Sequence, residues 1–168
     1  MEKTDQNETK WYVLNLRYVR AASLAPKLQE AGIRAFVPPV VTNLLFVRVS
    51  QSRIEEYLLG SPLGGKVYLM RSRSSGYPLV VRDTDMDLFI RICEAAEEAP
   101  IIMTEPPVLK IGDRVRITSG PFAGAEGNVV RMKKSKRVLI SISDVVWVAT
   151  AYIPPTELEL IEDEPAEK

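Results

Sequence analysis

Three glycines, Gly120, Gly124 and Gly127, fall within eight residues of one another, and no other stretch of the chain restricts the fold so tightly. Glycine takes positive φ without steric cost, so a loop this rich in it signals backbone geometry. The flanks are strand-like. Val115 and Ile117 alternate with Arg114, Arg116 and Thr118, the period of a half-buried strand. Val129 and Val130 resume a strand, Lys133-Lys134-Ser135-Lys136 reads as an exposed turn, and Val138–Ile142 as a more buried strand. Short strands joined by tight polar turns predict a small barrel. A phosphate cradle is the other use of such a loop, but no GK[ST] follows it and no helix opens after it, so the glycines are assigned to a barrel turn.

Composition excludes several classes. With 46% hydrophobic and 26% charged residues in 168, the chain is globular rather than disordered, and long enough for one domain or two small ones. No apolar run approaches the roughly 20 residues of a membrane span, and the polar start MEKTDQNETK has no hydrophobic signal region. The single cysteine, Cys93, excludes an internal disulfide and fits a reducing compartment, so a cytoplasmic protein with no membrane contact is expected. There is no histidine, which removes His-based triads and the usual zinc sites. With no nucleophile–base pair and no cofactor motif, neither an enzyme nor a bound metal or cofactor is expected.

The net charge of zero hides an uneven spread. Residues 1–107 are balanced at 13 basic and 13 acidic side chains. Residues 108–153 carry eight basic against three acidic, and residues 154–168 carry six acids and one lysine. The acidic tail nearly cancels the basic barrel, which argues against tight nonspecific duplex binding, since that depends on neutralising many phosphates.

Along the chain, residues 1–9 are expected to be a disordered terminus. Lys10–Leu16 reads as a first strand, rich in aromatic and β-branched side chains. Tyr18 to Ala31 has helical spacing, with Gly32 as its stop; Pro26 fits if Ser23 is the N-cap, and otherwise kinks the helix. Ile33–Pro38 and Leu44–Val49 follow as strands. Ser52-Arg53-Ile54-Glu55 has the form of a capping box for a short helix ending at Gly60. Val67–Met70 is a weak strand, and Asp83 or Thr84 caps a helix with Met86, Phe89, Ile90 and Cys93 on one stripe. The resulting pattern is an α+β domain over 10–99, a linker over 100–107, an all-β barrel over 108–161 and an acidic tail over 162–168.

The barrel stretch resembles a KOW motif, the core of the SH3-like barrel that ends NusG-type transcription factors and occurs in some ribosomal proteins. Gly112-Asp113-Arg114-Val115, Gly120-Pro121-Phe122-Ala123-Gly124 and Gly127 before a hydrophobic strand carry the likeness. The first domain resembles the NusG N-terminal (NGN) domain, through Trp11-Tyr12-Val13-Leu14, Gly32-Ile33, Phe36-Val37-Pro38 and Leu45-Phe46-Val47. Two longer words, Pro38 to Val47 and Val145 to Ile153, resemble the UpxY type, NusG paralogs that act as antiterminators of capsular-polysaccharide operons. The fold class implied is an α+β NGN-type antiparallel sheet with packed helices, followed by a small all-β SH3-like KOW barrel. Two departures stand out: the family's aromatic-proline-glycine-tyrosine turn reads Val41-Thr42-Asn43-Leu44 here, and the loop before it is short.

The resemblance implies a monomeric elongation and antitermination factor that binds the clamp helices of RNA polymerase through an apolar patch and suppresses pausing or termination. It assigns Val41, Leu44 and Phe46 to that patch, with Trp11 and Tyr12 nearby. Alternation puts Leu44, Phe46 and Arg48 on one strand face and Leu45, Val47 and Val49 on the other; an interface and a buried central strand both predict such a pattern. The likeness places Arg17 and Arg20 against the non-template DNA strand; a solvated face is the plainer reading of such a pair. Ser143, Asp144, Val145 and Val146 correspond to the loop that in NusG meets Rho or a small-subunit ribosomal protein, but lack its aromatic-glycine pair. A housekeeping NusG acting with Rho or the ribosome, or a KOW protein bound to ribosomal RNA, is the alternative. The Lys133, Lys134, Lys136 and Arg137 cluster reads as a hairpin tip that either touches nucleic acid or keeps a strand edge soluble. Asp83, Asp85, Asp87 and Glu94 mimic a calcium loop, but Leu88 stands where that loop needs glycine, so they read as cap and first-turn charges.

Overall fold

The structure, a computed structural model, describes residues 7–95, 100–108, 111–132 and 134–162. Most of the expected disordered terminus, Lys133 and nearly all of the acidic tail lie outside the described residues. Two compact units divide the chain, Met1–Met86 and Asp87–Lys168. The division falls inside a helix, upstream of the expected linker.

The first unit runs β1 (Thr9–Leu16), α1 (Ala21–Glu30), β2 (Arg34–Phe36), β3 (Leu44–Ser50), α2 (Gln51–Leu59), β4 (Val67–Leu69) and β5 (Val80–Val81). Its antiparallel sheet has the order β2-β3-β1-β4, with β5 also paired to β1. From Trp11 to Leu14 and from Leu44 to Val47 the two central strands are apolar on both faces, and all of these residues are buried. One face of β1 and β3, carrying Tyr12, Leu14, Leu45 and Val47, packs with Ala21, Leu24 and Leu28 of α1 and Ile54 of α2 to form the unit's core.

Both helix starts differ from the sequence expectation. Arg20, not Ser23, is the N-cap of α1, with extended φ and ψ of −89° and 137°, and Pro26 lies inside the helix. Tyr18 is therefore not on the helical stripe; it precedes the helix with φ 61°. The cap of α2 is Ser50 rather than Ser52, its hydroxyl accepting from the Arg53 amide at 3.4 Å. At α2 polar and charged residues stand in a row, Ser50-Gln51-Ser52-Arg53, and the end of β3 at Ser50, which sequence does not mark, decides which one caps.

Helix α3 (Asp83–Ala95) spans the division and buries Met86, Phe89 and Ile92. Beyond it come β6 (Ile101–Met103), β7 (Arg114–Ile117), β8 (Glu126–Met132), β9 (Ser135–Ile142), β10 (Val146–Ala149) and β11 (Leu158–Leu160). They form one antiparallel sheet in the order β11-β7-β8-β9-β10-β6. Part of the expected linker is thus a strand. Ile101–Met103 pairs with β10, Met103 opposite Trp147 and Ile101 opposite Ala149, because these apolar side chains complete a small core with Val130 and Leu139. β10 stops at Ala149, short of Ile153. The next residue, the buried Thr150, donates its amide to the Val138 carbonyl at 3.0 Å and accepts from the Val138 amide through its hydroxyl at 3.1 Å.

The glycine-rich stretch divides by purpose. Gly120 and Gly124 take φ of 83° and 93° in the turn. Gly127 does not; it lies in β8, where a side chain would collide with the Leu139 carbonyl across the ladder. An α+β unit followed by an all-β region is what the sequence predicts, and no helix among the described residues is long and apolar enough to cross a membrane.

Candidate docking site

The expected docking residues of the first unit do not form one exposed patch. Cross-strand register puts Trp11 opposite Arg48, Val13 opposite Phe46 and Asn15 opposite Leu44, so Trp11, Leu44 and Phe46 share a face of the sheet. All three are buried, with Phe46 at 0% exposure. The Arg34 guanidinium lies 5.1 Å from the Trp11 ring centroid, and Arg48 pairs with Asp83 at 3.4 Å. Tyr12 is buried on the opposite face, in the core with the helices. Period-two patterning told the two faces apart but not that both are buried. Of the five residues, Val41 is the one left half-exposed.

Val41 lines an open groove of about 700 Å³ between the loop after β1 and the loop before β3. Its other walls include Leu16, Tyr18, Arg20, Val37 and Val40. Tyr18 is fully exposed and Val40 is 64% exposed, an unusual presentation of large apolar side chains. Both also sit at positive φ, 61° and 59°; for a β-branched valine that is a true outlier, costing of order 1–3 kcal/mol. Pro38 and Pro39 precede Val40 and stiffen the approach to it. Sequence reasoning missed Tyr18 and Val40, since no pattern in the residues announces a left-handed tyrosine or valine.

The two arginines separate. Arg20 lines the groove at the start of α1, whose N-cap makes no side-chain hydrogen bond and whose first turn holds no acid. Arg17 is exposed, but its guanidinium lies 5.4 Å from the Tyr68 ring centroid on β4. The groove therefore presents apolar side chains with one cation at its edge, suited to an amphipathic helix with an acidic flank.

In the second unit, Ser143 and Asp144 take φ of 51° and 56° at the centre of a tight turn closed by the Val145 amide on the Ile142 carbonyl at 3.0 Å. The Ser141 hydroxyl donates to Asp144 Oδ1 at 2.8 Å and accepts from the Asp144 amide at 3.1 Å. Val145 and Val146 are buried, so the turn offers a partner mainly Asp144 and part of Ser143. Nearby charge is already committed: Arg116 holds Glu126 at 2.7 Å and Glu159 at 3.6 Å, and Arg114 reaches Glu126 at 3.3 Å. The hydrogen bond from Arg116 is the main reason the Glu126 carboxyl titrates below the usual carboxylate range.

Neither Asp83 nor Thr84 caps α3, since both lie within the helix; Asp83 and Asp85 supply first-turn charges instead, and Asp85 pairs with Arg82 at 2.9 Å. Cys93 is half-buried, and burial, aided by the charge of Glu94, pushes its thiol up to about 12, far from the range of a working nucleophile.

This architecture, an α+β unit followed by an all-β region, defines a class. The model of the KOW motif matches residues 111–141, which span β7 to β9. Among solved structures, one of Thermotoga maritima NusG, described as showing domain interaction in that protein, is similar with a TM-score of 0.53. The match covers 92% of this chain and 98% of that one at 19% identity, which makes it a likeness of fold. No curated protein matches the chain in sequence.

Proposed function

We propose that this chain is a NusG-type transcription elongation factor, without catalytic activity, that docks on RNA polymerase through its first unit and suppresses pausing or termination. The observation that supports it most is the combination of a KOW motif over residues 111–141 with a NusG-like fold across 92% of the chain. In this reading the clamp helices lie in the groove of Tyr18, Val37, Val40 and Val41, where a strained, exposed apolar surface gains from being covered. Trp11, Leu44 and Phe46 support that groove from the sheet behind, and Tyr12 holds the sheet to the helices. Arg20 at the rim, with Arg17 close in sequence, faces the non-template DNA strand. The turn Ser143-Asp144-Val145-Val146 serves a second partner, Rho or a small-subunit ribosomal protein. The chain acts in surface-polysaccharide operons, as the UpxY-like words Pro38 to Val47 and Val145 to Ile153 suggest, and works as a cytoplasmic monomer.

The test is co-elution with bacterial core RNA polymerase, wild type against Val40→Glu plus Val41→Glu. Both side chains are at least partly solvent-facing, so the variant should keep the wild-type circular dichroism. The expected result is a wild-type complex and at least a ten-fold loss in the folded variant. A folded wild-type chain that never binds polymerase overturns the reading and favours a ribosomal or RNA partner.

A further inference from the structure

The second unit carries another groove, of about 780 Å³, at the end of the sheet where β8 turns into β9. Its floor is aliphatic, made by Val129, Val138, Ile153, Pro155 and Leu158, and Tyr152 and Leu160 stand at its opening with 58% and 71% of their surface exposed. The charged part of the lining is Arg131, Lys136 and Arg137, against a single carboxylate, Asp113.

The charges are arranged in a way that folding alone does not favour. Arg131 and Lys136 are direct cross-strand partners, a like-charged pair that destabilises a ladder. Elsewhere in the same sheet Arg114 and Arg116 are matched by Glu126 and Glu159. No such carboxylate partner is found for Arg131, Lys136 or Arg137 among the described residues. Arg137 donates through Nη1 to the Thr150 carbonyl at 3.2 Å, while its buried Nε has no partner. The site thus combines a surplus of positive charge with an apolar trough.

We propose that this groove docks an acidic peptide segment carrying apolar side chains, supplied by a partner protein. The carboxylates neutralise the Arg131–Lys136 pair and the apolar side chains fill the trough. Single-stranded RNA satisfies the charge but not the floor, because bases are held by stacking on aromatic rings and this lining has one, Tyr152. The surface is separate from the Ser143–Val146 turn: Ser143 is seven steps along the extended chain from Lys136, roughly 23 Å at about 3.3 Å per residue. It also shares no lining residue with the groove of the first unit.

The experiment is selection of a random 12-residue peptide library displayed on phage against the full chain, with counter-selection on Arg131→Glu plus Lys136→Glu. Both side chains are exposed, and an Arg131→Gln plus Lys136→Gln variant serves if the reversal disturbs folding. Enriched peptides are expected to combine Asp or Glu with Leu, Ile or Phe. Synthetic versions should bind at least ten-fold more weakly to the rim variant, and more weakly as salt rises. Failure to enrich any peptide, enrichment of peptides without acids, or equal binding to the rim variant overturns the proposal. So does a 12-nucleotide oligouridine RNA that binds the wild type tighter than the selected peptides and loses binding in the same variant.

Discussion

The central strands of the first unit and the loops beside them carry the same kinds of side chain and use them in opposite ways. In β1 and β3, Trp11, Val13, Leu44 and Phe46 are buried, on the face opposite the one that packs on α1 and α2. In the loops, Tyr18, Val37 and Val40 meet solvent, two of them at positive φ. Burial explains the first set without any partner. It leaves the second set unexplained, and an exposed, strained apolar surface is a better mark of recognition than a hydrophobic strand.

The largest effect separating the two regions should be on stability. Phe46→Ala is expected to cost about 3–5 kcal/mol in chemical denaturation, and Val41→Ala under about 1 kcal/mol. Similar costs for the two would break the comparison. Next in size is the relief of strain. Val40→Asn keeps the left-handed conformation at a residue type that tolerates it, and should raise stability by about 1 kcal/mol. No gain would mean that the loop relaxes to another conformation in solution.

Cys93 extends the buried side of the comparison to the second unit. Its thiol, raised to about 12, should react with iodoacetamide at pH 8 far more slowly than in the urea-unfolded chain. The folded state holds this proton more tightly than the unfolded state, whose value is near 9.0. The stability it contributes is therefore full below pH 9 and is lost as pH rises from about 9 to 12. Alkylation at the unfolded rate contradicts this. The smallest effect is at the exposed side. The Glu126 carboxyl is held low by Arg116, so its contribution is present above the unfolded carboxylate value and is lost as pH falls through the lower folded one. Glu126→Gln should remove a slight part of the acid-side loss of stability, and salt should shrink the difference.

What was legible in the sequence follows the same division. Alternation and glycine placement marked β1, β3 and β7 to β9, because burial writes a period into the residues. The capping positions of α1 and α2 and the strand at Ile101–Met103 were not legible, since each depends on where a neighbouring strand stops or pairs. The site was legible least. Val41 and Arg20 were picked out and lie together in the groove, whereas Trp11, Leu44 and Phe46 were picked out for a pattern that a core produces equally well. Tyr18 and Val40 owe their exposure to backbone dihedrals, and nothing in residue type encodes those here.

One measurement bears most directly on the claim that the loop groove docks the polymerase. A photocrosslinking amino acid placed at position 40, and as a control at the exposed Arg73, is irradiated in the presence of core RNA polymerase. The account predicts an adduct with the clamp-bearing subunit from position 40 and none from position 73. A stable complex in which position 40 gives no adduct would contradict it.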